Sequence, residues 1–383
     1  MTRFINRTRL AAQALAGLVT TISYAQGGRA HGPIAIPAMT DSATPASVRA
    51  LLTVIAADSM EGRAVWSRGS DRAAMYIAEQ MKVAGLVPAG DSGYFQRIPG
   101  AVQANGRVLR LRSLADLDTV PAARRRLAVN VVGILPGHAS TAKPDSIVLV
   151  DAHYDHLGMG RPINGDSIYN GADDDGSGTV AVLEIARIMK KWPTPSRTVV
   201  FLATTGEEAG LVGTGWYLAN PVRSLTTMAA NLEIEMIGRP DTMATGRGRA
   251  WLTGFERSTM GESFQLAGLP IMADMRPSQS FFTRSDNIAF AQAGIPAHTL
   301  SSFNMHSDYH GLGDEVSKID FEHMAALINT TARAVWVLTE GPAPTWNSGG
   351  RPCPAGPPSP RPRFTPAEWD SVRLARQYPQ SCH

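Results

Sequence analysis

The alternation of apolar strands with helix-patterned segments predicts an α/β domain, a mixed and mainly parallel sheet with helices on both faces. Three observations carry that expectation. The runs SIVLVDA, RTVVFLA and ANLEIEMIG are dominated by apolar and β-branched residues, as strands covered on both faces are. Between and after them lie segments whose apolar residues recur at helical spacing. Most clusters of Asp, Glu and His stand directly after such a strand, where open α/β sheets bind ligands. With 383 residues, 44% of them hydrophobic, the chain can fill the core this architecture needs.

Residues 44–86 contain two helices, SVRALLTVIAAD and SRGSDRAAMYIAEQMKVAGL, around an irregular turn, DSMEGRAVWSRGS. NVVGIL at 130–135 is a short strand stopped by Pro136-Gly137, and SIVLVDA at 146–152 is the next. Residues 177–191 place Val180, Leu183, Ile185 and Ile188 on a helix that ends in two lysines, where cations favour the dipole. A strand at 197–204, a helix at 212–219 and a strand at 230–238 follow. Beyond Gly341 the composition turns Pro-rich, so 26–340 reads as the globular domain and 341–383 as an extension. Thr365-Pro366-Ala367-Glu368 has the form of a capping box opening a short terminal helix. Cys353 and Cys382, the two cysteines of the chain, both lie in the extension, where a disulfide between them suits an oxidising compartment.

The opening MTRFINRTR bears three arginines and no acid, and precedes the apolar LAAQALAGLVTTI and the small residues Ser23 and Ala25. Residues 1–25 therefore read as a secretory signal peptide, and the protein is expected to be exported, periplasmic or extracellular. The apolar run is shorter than the roughly 20 residues a membrane span needs, so no stable membrane association is expected after its removal. A net charge of +3 with acids and bases interspersed argues against a nucleic-acid partner.

The chemistry lies in five motifs: HYD at 153–155, NGADDDGSG at 170–178, GEE at 206–208, EMIG at 235–238 and HSDYHGLGDE at 306–315. Singly, a strand-end histidine, a DDDG turn or an acidic first helical turn needs no functional explanation. Together they line one rim of one sheet with imidazoles and carboxylates, the donors a divalent metal such as zinc takes. Glu207 and Glu208 are adjacent at the end of a buried strand, where two carboxylates repel and lose hydration. Stability does not explain that pair.

In order and spacing, HYD, GADDDGSG, TGEEAGL, EMIG and YHGLGDE resemble the secreted dizinc aminopeptidases of the bacterial leucine aminopeptidase type. That family of zinc-dependent exopeptidases also holds glutamate carboxypeptidases and glutaminyl cyclases. The similarity runs from about Ser47 to Leu338 and includes the D-x-M-E-G-R stretch ending at Arg63. It implies two Zn2+ ions per chain, with His153 on the first, Asp174 bridging both, and Glu208 and His310 on the second. It also implies a cis peptide between Asp174 and Asp175, Glu207 as the unligated general base, and Asp155 as a hydrogen-bond partner of the His153 ring. Where many members carry aspartate before Met-Ile-Gly, this chain has Glu235, a competent ligand taken here as the second on the first zinc. Glu233, two residues earlier on the same strand face, is its rival.

The same resemblance implies hydrolysis of the N-terminal bond of peptides with a free amino group. A carboxypeptidase of this fold needs cations converging on the substrate carboxylate, and Arg161, Arg239 and Arg284 are scattered in sequence. A carboxypeptidase or dipeptidase and a non-catalytic zinc-fold binding module are the alternatives. A glutaminyl cyclase of this type works with one zinc and is disfavoured by His153. His156, His298 and His306 are expected to be structural ahead of shaping the substrate pocket. Asp286, Asp308 and Asp314 are expected to hold loops, and Tyr309 is a candidate for polarising the tetrahedral intermediate.

Overall fold

The computed structural model describes residues 34–138 and 146–354. The signal segment at 1–25, Cys382 with its pairing to Cys353, and the capping box at 365–368 lie outside the described residues.

The strands are β1 (Val87–Pro88), β2 (Phe95–Val102), β3 (Val108–Arg110), β4 (Arg125–Leu135), β5 (Ile147–His153), β6 (Gly158–Ile163), β7 (Asp166–Tyr169), β8 (Thr198–Thr204), β9 (Met228–Ile234), β10 (Ala250–Leu252), β11 (Ile271–Ala273) and β12 (Ala297–Ser301). The α-helices are α1 (Pro45–Ile55), α2 (Arg68–Val83), α3 (Gly178–Lys191), α4 (Val212–Ala219), α5 (Met260–Leu266), α6 (Asn287–Gln292) and α7 (Phe321–Glu340). Ten strands form one sheet in the order β11-β10-β12-β9-β5-β8-β4-β2-β3, with β1 beside β4. Its centre, β12, β9, β5 and β8, is parallel, and both flanks add antiparallel neighbours. β6 and β7 pair separately as a hairpin.

The central strand β5 is buried along its whole length, as its apolar run requires. Val148 and Val150 point into a layer containing α1, α2, α3 and α7, while Ile147 and Leu149 point toward α4 and α6. Burying each such Val, Leu or Ile contributes about 1.5–3 kcal/mol. Helix α3 is buried almost all round because it packs on β5 and β8 and also against α7.

Three boundaries differ from the sequence pattern. Strand β4 starts at Arg125 rather than Asn130, because its exposed, basic first half pairs with β2. Strand β9 ends at Ile234, so Glu235 stands beyond the ladder and is free to turn away from strand alternation. The packed domain also continues past residue 340. Trp346 donates to the Gly294 carbonyl, meets Phe282 edge-on and lies tilted against His298, which ties the start of the Pro-rich segment to the domain. Among the described residues no helix is long and apolar enough to cross a membrane.

Candidate metal centre

Parallel pairing puts the carboxyl ends of β8, β5 and β9 side by side, so segments distant in sequence meet at one rim. His153 is the last residue of β5. Glu207 and Glu208 follow β8, Glu235 follows β9, and Asp174 lies in the turn that enters α3. His310 arrives on the loop between β12 and α7. The Asp174–Asp175 peptide is cis. In that turn a Cβ at Gly178 would sit 2.1 Å from the Ile234 carbonyl, so only glycine lets the turn approach β9.

Asp174 is shared by two donor sets. Its Oδ1 lies 3.3 Å from His153 Nε2, which is 4.0 Å from Glu235 Oε1. Its Oδ2 lies 3.1 Å from His310 Nε2, which is also 3.1 Å from Glu208 Oε1. The His153 and Asp174 side chains are 1% and 2% exposed against 15% for His310 and 21% for Glu235, so the site has a dry floor and one open side. His153 Nε2 is buried yet makes no hydrogen bond, which is costly for a polar atom unless something else occupies that position. Imidazole nitrogens and carboxylate oxygens at this spacing fit zinc.

The electrostatics point the same way. Burial alone would raise Asp174, yet the His153 and His310 imidazoles hold it well below the usual carboxylate range. Burial opposes ionisation of Glu208 as well, and His310 and His156 together outweigh it, so this carboxyl is also lowered. Burial would lower His310, but Glu208 and Asp174 raise it to about 11. Burial and then the neighbouring Glu233 push Glu235 well above its ordinary value. The carboxylates thus favour positive charge at two places, beside His153 and beside His310. Metal ligation takes neutral imidazole and ionised carboxylate, so metal affinity falls with falling pH.

The supporting residues explain how the site is held. His153 Nδ1 faces the backbone carbonyl of Asp155 at 3.1 Å, with the Asp155 carboxylate farther, at 3.6 Å. That carboxylate instead accepts the backbone N–H groups of Glu207 at 3.1 Å and Glu208 at 3.4 Å. Asp155 thus stands beside the His153 ring with both its carbonyl and its carboxylate, while the same side chain also fixes the two glutamates. Glu207 belongs to neither ligand-spaced group, although its charge is felt at both His153 and Glu235. Glu233 is turned away from the centre. It accepts from the Ser285 hydroxyl, the N–H groups of Asp286 and Asn287, both at 3.0 Å, and Thr299 Oγ1 at 2.6 Å. Between the two rival carboxylates, Glu235 is the one at the rim.

The His310 loop is clamped by Arg239, which donates to Asp308 at 2.7 Å and to Asp314 at 3.2 Å. Asp314 in turn accepts from the backbone N–H of Asp173 and Asp174, joining the loop to the turn that carries Asp174. This restraint matters because His310 and Met236 are non-glycine residues at φ +54° and +51°, conformations that cost on the order of 1–3 kcal/mol. His306 sits 3.1 Å from Asp173, and Asp286 accepts from Thr204, so both are structural here. His298 meets the Thr253 carbonyl and the Ser258 hydroxyl, each at 2.7 Å, and is structural as well. Tyr309 stacks on the His310 ring at 3.9 Å, with Arg284 3.5 Å from its hydroxyl.

Two residues escaped sequence reasoning. Arg63, wholly buried, donates to the carbonyls of Tyr154, Ile55, Asn170 and Gly171 at 2.6–2.9 Å and so binds the HYD and GADDDGSG segments together. Its signal was a basic residue inside DSMEGR with no function of its own. His156, expected to be structural, reaches the carboxylates of Glu208 and Asp174; the signal is a second histidine in HYDH. Beside Glu235 opens a recess walled by Met236, Trp251, Phe281 and Phe303, with Arg284 and Tyr309 also lining it.

Residues 130–335 match peptidase family M28. A probable zinc metalloprotease of Leptosphaeria maculans is 23% identical, over 58% of this chain and 60% of its own length. Aminopeptidase YwaD of Bacillus subtilis is 26% identical, over 62% of this chain and 50% of its own. The chain thus spans about half to three-fifths of these curated relatives. Among solved structures, BSAP, a zinc aminopeptidase from Bacillus subtilis, superposes with a TM-score of 0.57 at 16% identity, covering 78% of this chain and 95% of that one. Porphyromonas gingivalis glutaminyl cyclase superposes at 0.54 and 15% identity, covering 77% and 98%. Likeness at such identities establishes the α/β fold. Since the family match takes in more than half of the sequence, from β4 into α7, this chain belongs to peptidase family M28.

Proposed function

We propose that the protein is a zinc-dependent aminopeptidase that holds two zinc ions and hydrolyses the N-terminal bond of peptides with a free amino group. The observation that carries this is the division of the rim into two donor sets sharing Asp174, with Glu207 outside both. His153, Asp174 and Glu235 would hold one ion; Asp174, Glu208 and His310 the other. Bound zinc would polarise the scissile carbonyl and ease deprotonation of water. Glu207 is the base that takes the proton from the attacking water and passes it to the leaving amine. Asp155, by fixing the backbone of both glutamates, keeps their two carboxylates at separate tasks.

The direction of cleavage follows from charge. Arg161 lies exposed on β6, and Arg239 is engaged by Asp308 and Asp314, so of the three arginines weighed for a substrate carboxylate only Arg284 lines the recess. A single arginine offers no converging pair of cations for a substrate carboxylate, and the aromatic walls favour an apolar N-terminal side chain. The aminopeptidase name of the Bacillus subtilis relative agrees with this polarity. The deciding experiment is Glu207→Gln, which should keep both zinc ions and the fold while hydrolysis drops by at least about a hundredfold. An active, zinc-loaded Glu207→Gln protein would sink the assignment of roles within the pair.

A further inference from the structure

His156 is wholly buried; its Nε2 makes no hydrogen bond, and its Nδ1 faces only carboxylate oxygens. A buried imidazole left that way loses roughly 1–3 kcal/mol for each unmet polar atom. The chain nevertheless makes room for it: a Cβ at Gly171, itself at φ +56°, would lie 2.5 Å from His156 Cγ. Its Nδ1 stands 3.2 Å from Glu208 Oε1 and 4.0 Å from Asp174 Oδ2, the same two oxygens that face His310 Nε2 at 3.1 Å each. Ligands about 2.0–2.1 Å from a tetrahedral zinc stand about 3.3 Å apart. Three of these four separations are within a few tenths of an ångström of that value, and the fourth is somewhat long.

We propose that His156 is a fourth protein ligand at the Glu208–His310 position, which makes the two metal positions unequal. The Asp174–Glu208–His310–His156 set is complete for a tetrahedral ion, the arrangement of closed sites. The His153–Asp174–Glu235 set supplies three side chains and keeps a position for water or substrate. The first ion taken up by the apoprotein therefore goes to the closed set, and the second binds more weakly. This inference rests on the two-ion reading above, and metal binding rather than turnover tests it.

Metal-free protein is titrated with Co2+. The wild-type, two-cobalt protein should show three exchangeable imidazole N–H signals shifted by the paramagnetic ion, from His153, His310 and His156. Two signals with two cobalt ions bound overturn the proposal, whereas uptake of a single ion would instead contradict the two-ion reading. In folded His156→Cys, a thiolate-to-cobalt charge-transfer band is expected, because a thiolate at that position would replace the imidazole as ligand. A folded, two-cobalt His156→Cys protein with no such band refutes coordination. His156→Ala should weaken one of the two binding steps by at least about tenfold; unchanged affinity at both steps also overturns the proposal.

Discussion

Arg63 offers a perturbation whose size can be worked from its contacts. The guanidinium gives four hydrogen bonds to the carbonyls of Tyr154, Ile55, Asn170 and Gly171, at 2.6–2.9 Å. Burial lowers its pKa only to about 10, so it stays charged at neutral pH and its bonds are charge-assisted. Such a bond is worth about 1.5–3 kcal/mol. Arg63→Lys keeps the charge but replaces a planar fork with donors on a single nitrogen, which cannot meet carbonyls from three separate segments. Losing two of the four bonds should cost about 3–6 kcal/mol, against a typical total stability of about 5–15 kcal/mol. Because Tyr154 adjoins His153 and Gly171 lies in the turn leading to Asp174, metal affinity should fall too. Urea unfolding of the metal-free variant and wild type, with zinc affinity measured in parallel, provides the test. A change below about 1 kcal/mol would refute the reasoning. So would an Arg63→Met variant more stable than Arg63→Lys, since burial of the charge would then outweigh the bonds it makes.

Other expectations follow from the same geometry. Glu235→Ala should reduce zinc content, while Glu233→Ala should mainly destabilise the fold by stranding Ser285 and Thr299; metal analysis giving the reverse would move the ligand to Glu233. N-acetylation of a good peptide substrate should abolish cleavage and C-terminal amidation should matter little, and the opposite pattern would reverse the polarity. Burial lowers His298 from about 6.5 to about 4, so between those values the unfolded chain binds the extra proton. Stability from this residue is therefore complete above about pH 6.5 and lost as pH falls toward 4, by about 3 kcal/mol. Unfolding free energies of His298→Gln measured across that range should show a flatter pH dependence; an unchanged slope would exclude His298 as the titrating group.

Local pattern was enough for the elements whose character is intrinsic. Strand β5 could be read because a segment covered on both faces must be apolar throughout, and α4 was legible at the residues where it forms. The residues that gather at the rim could be read because metal coordination admits few residue types and because the order of the motifs resembles a known family. Tertiary pairing settled what local pattern leaves open. The basic start of β4 is a strand because β2 lies beside it, and no apolar alternation announces that. Glu233 and Glu235 look equivalent in sequence. They part because β9 stops at Ile234 and Ser285, Asp286, Asn287 and Thr299 together claim the oxygens of Glu233. Arg63 and His156 acquire their roles from carbonyls and carboxylates drawn from segments 52 or more residues apart as well as from nearer ones. Hydrogen bonding and coordination depend on distance in space, and the fold sets that distance by packing segments whose separation along the chain carries no record of it.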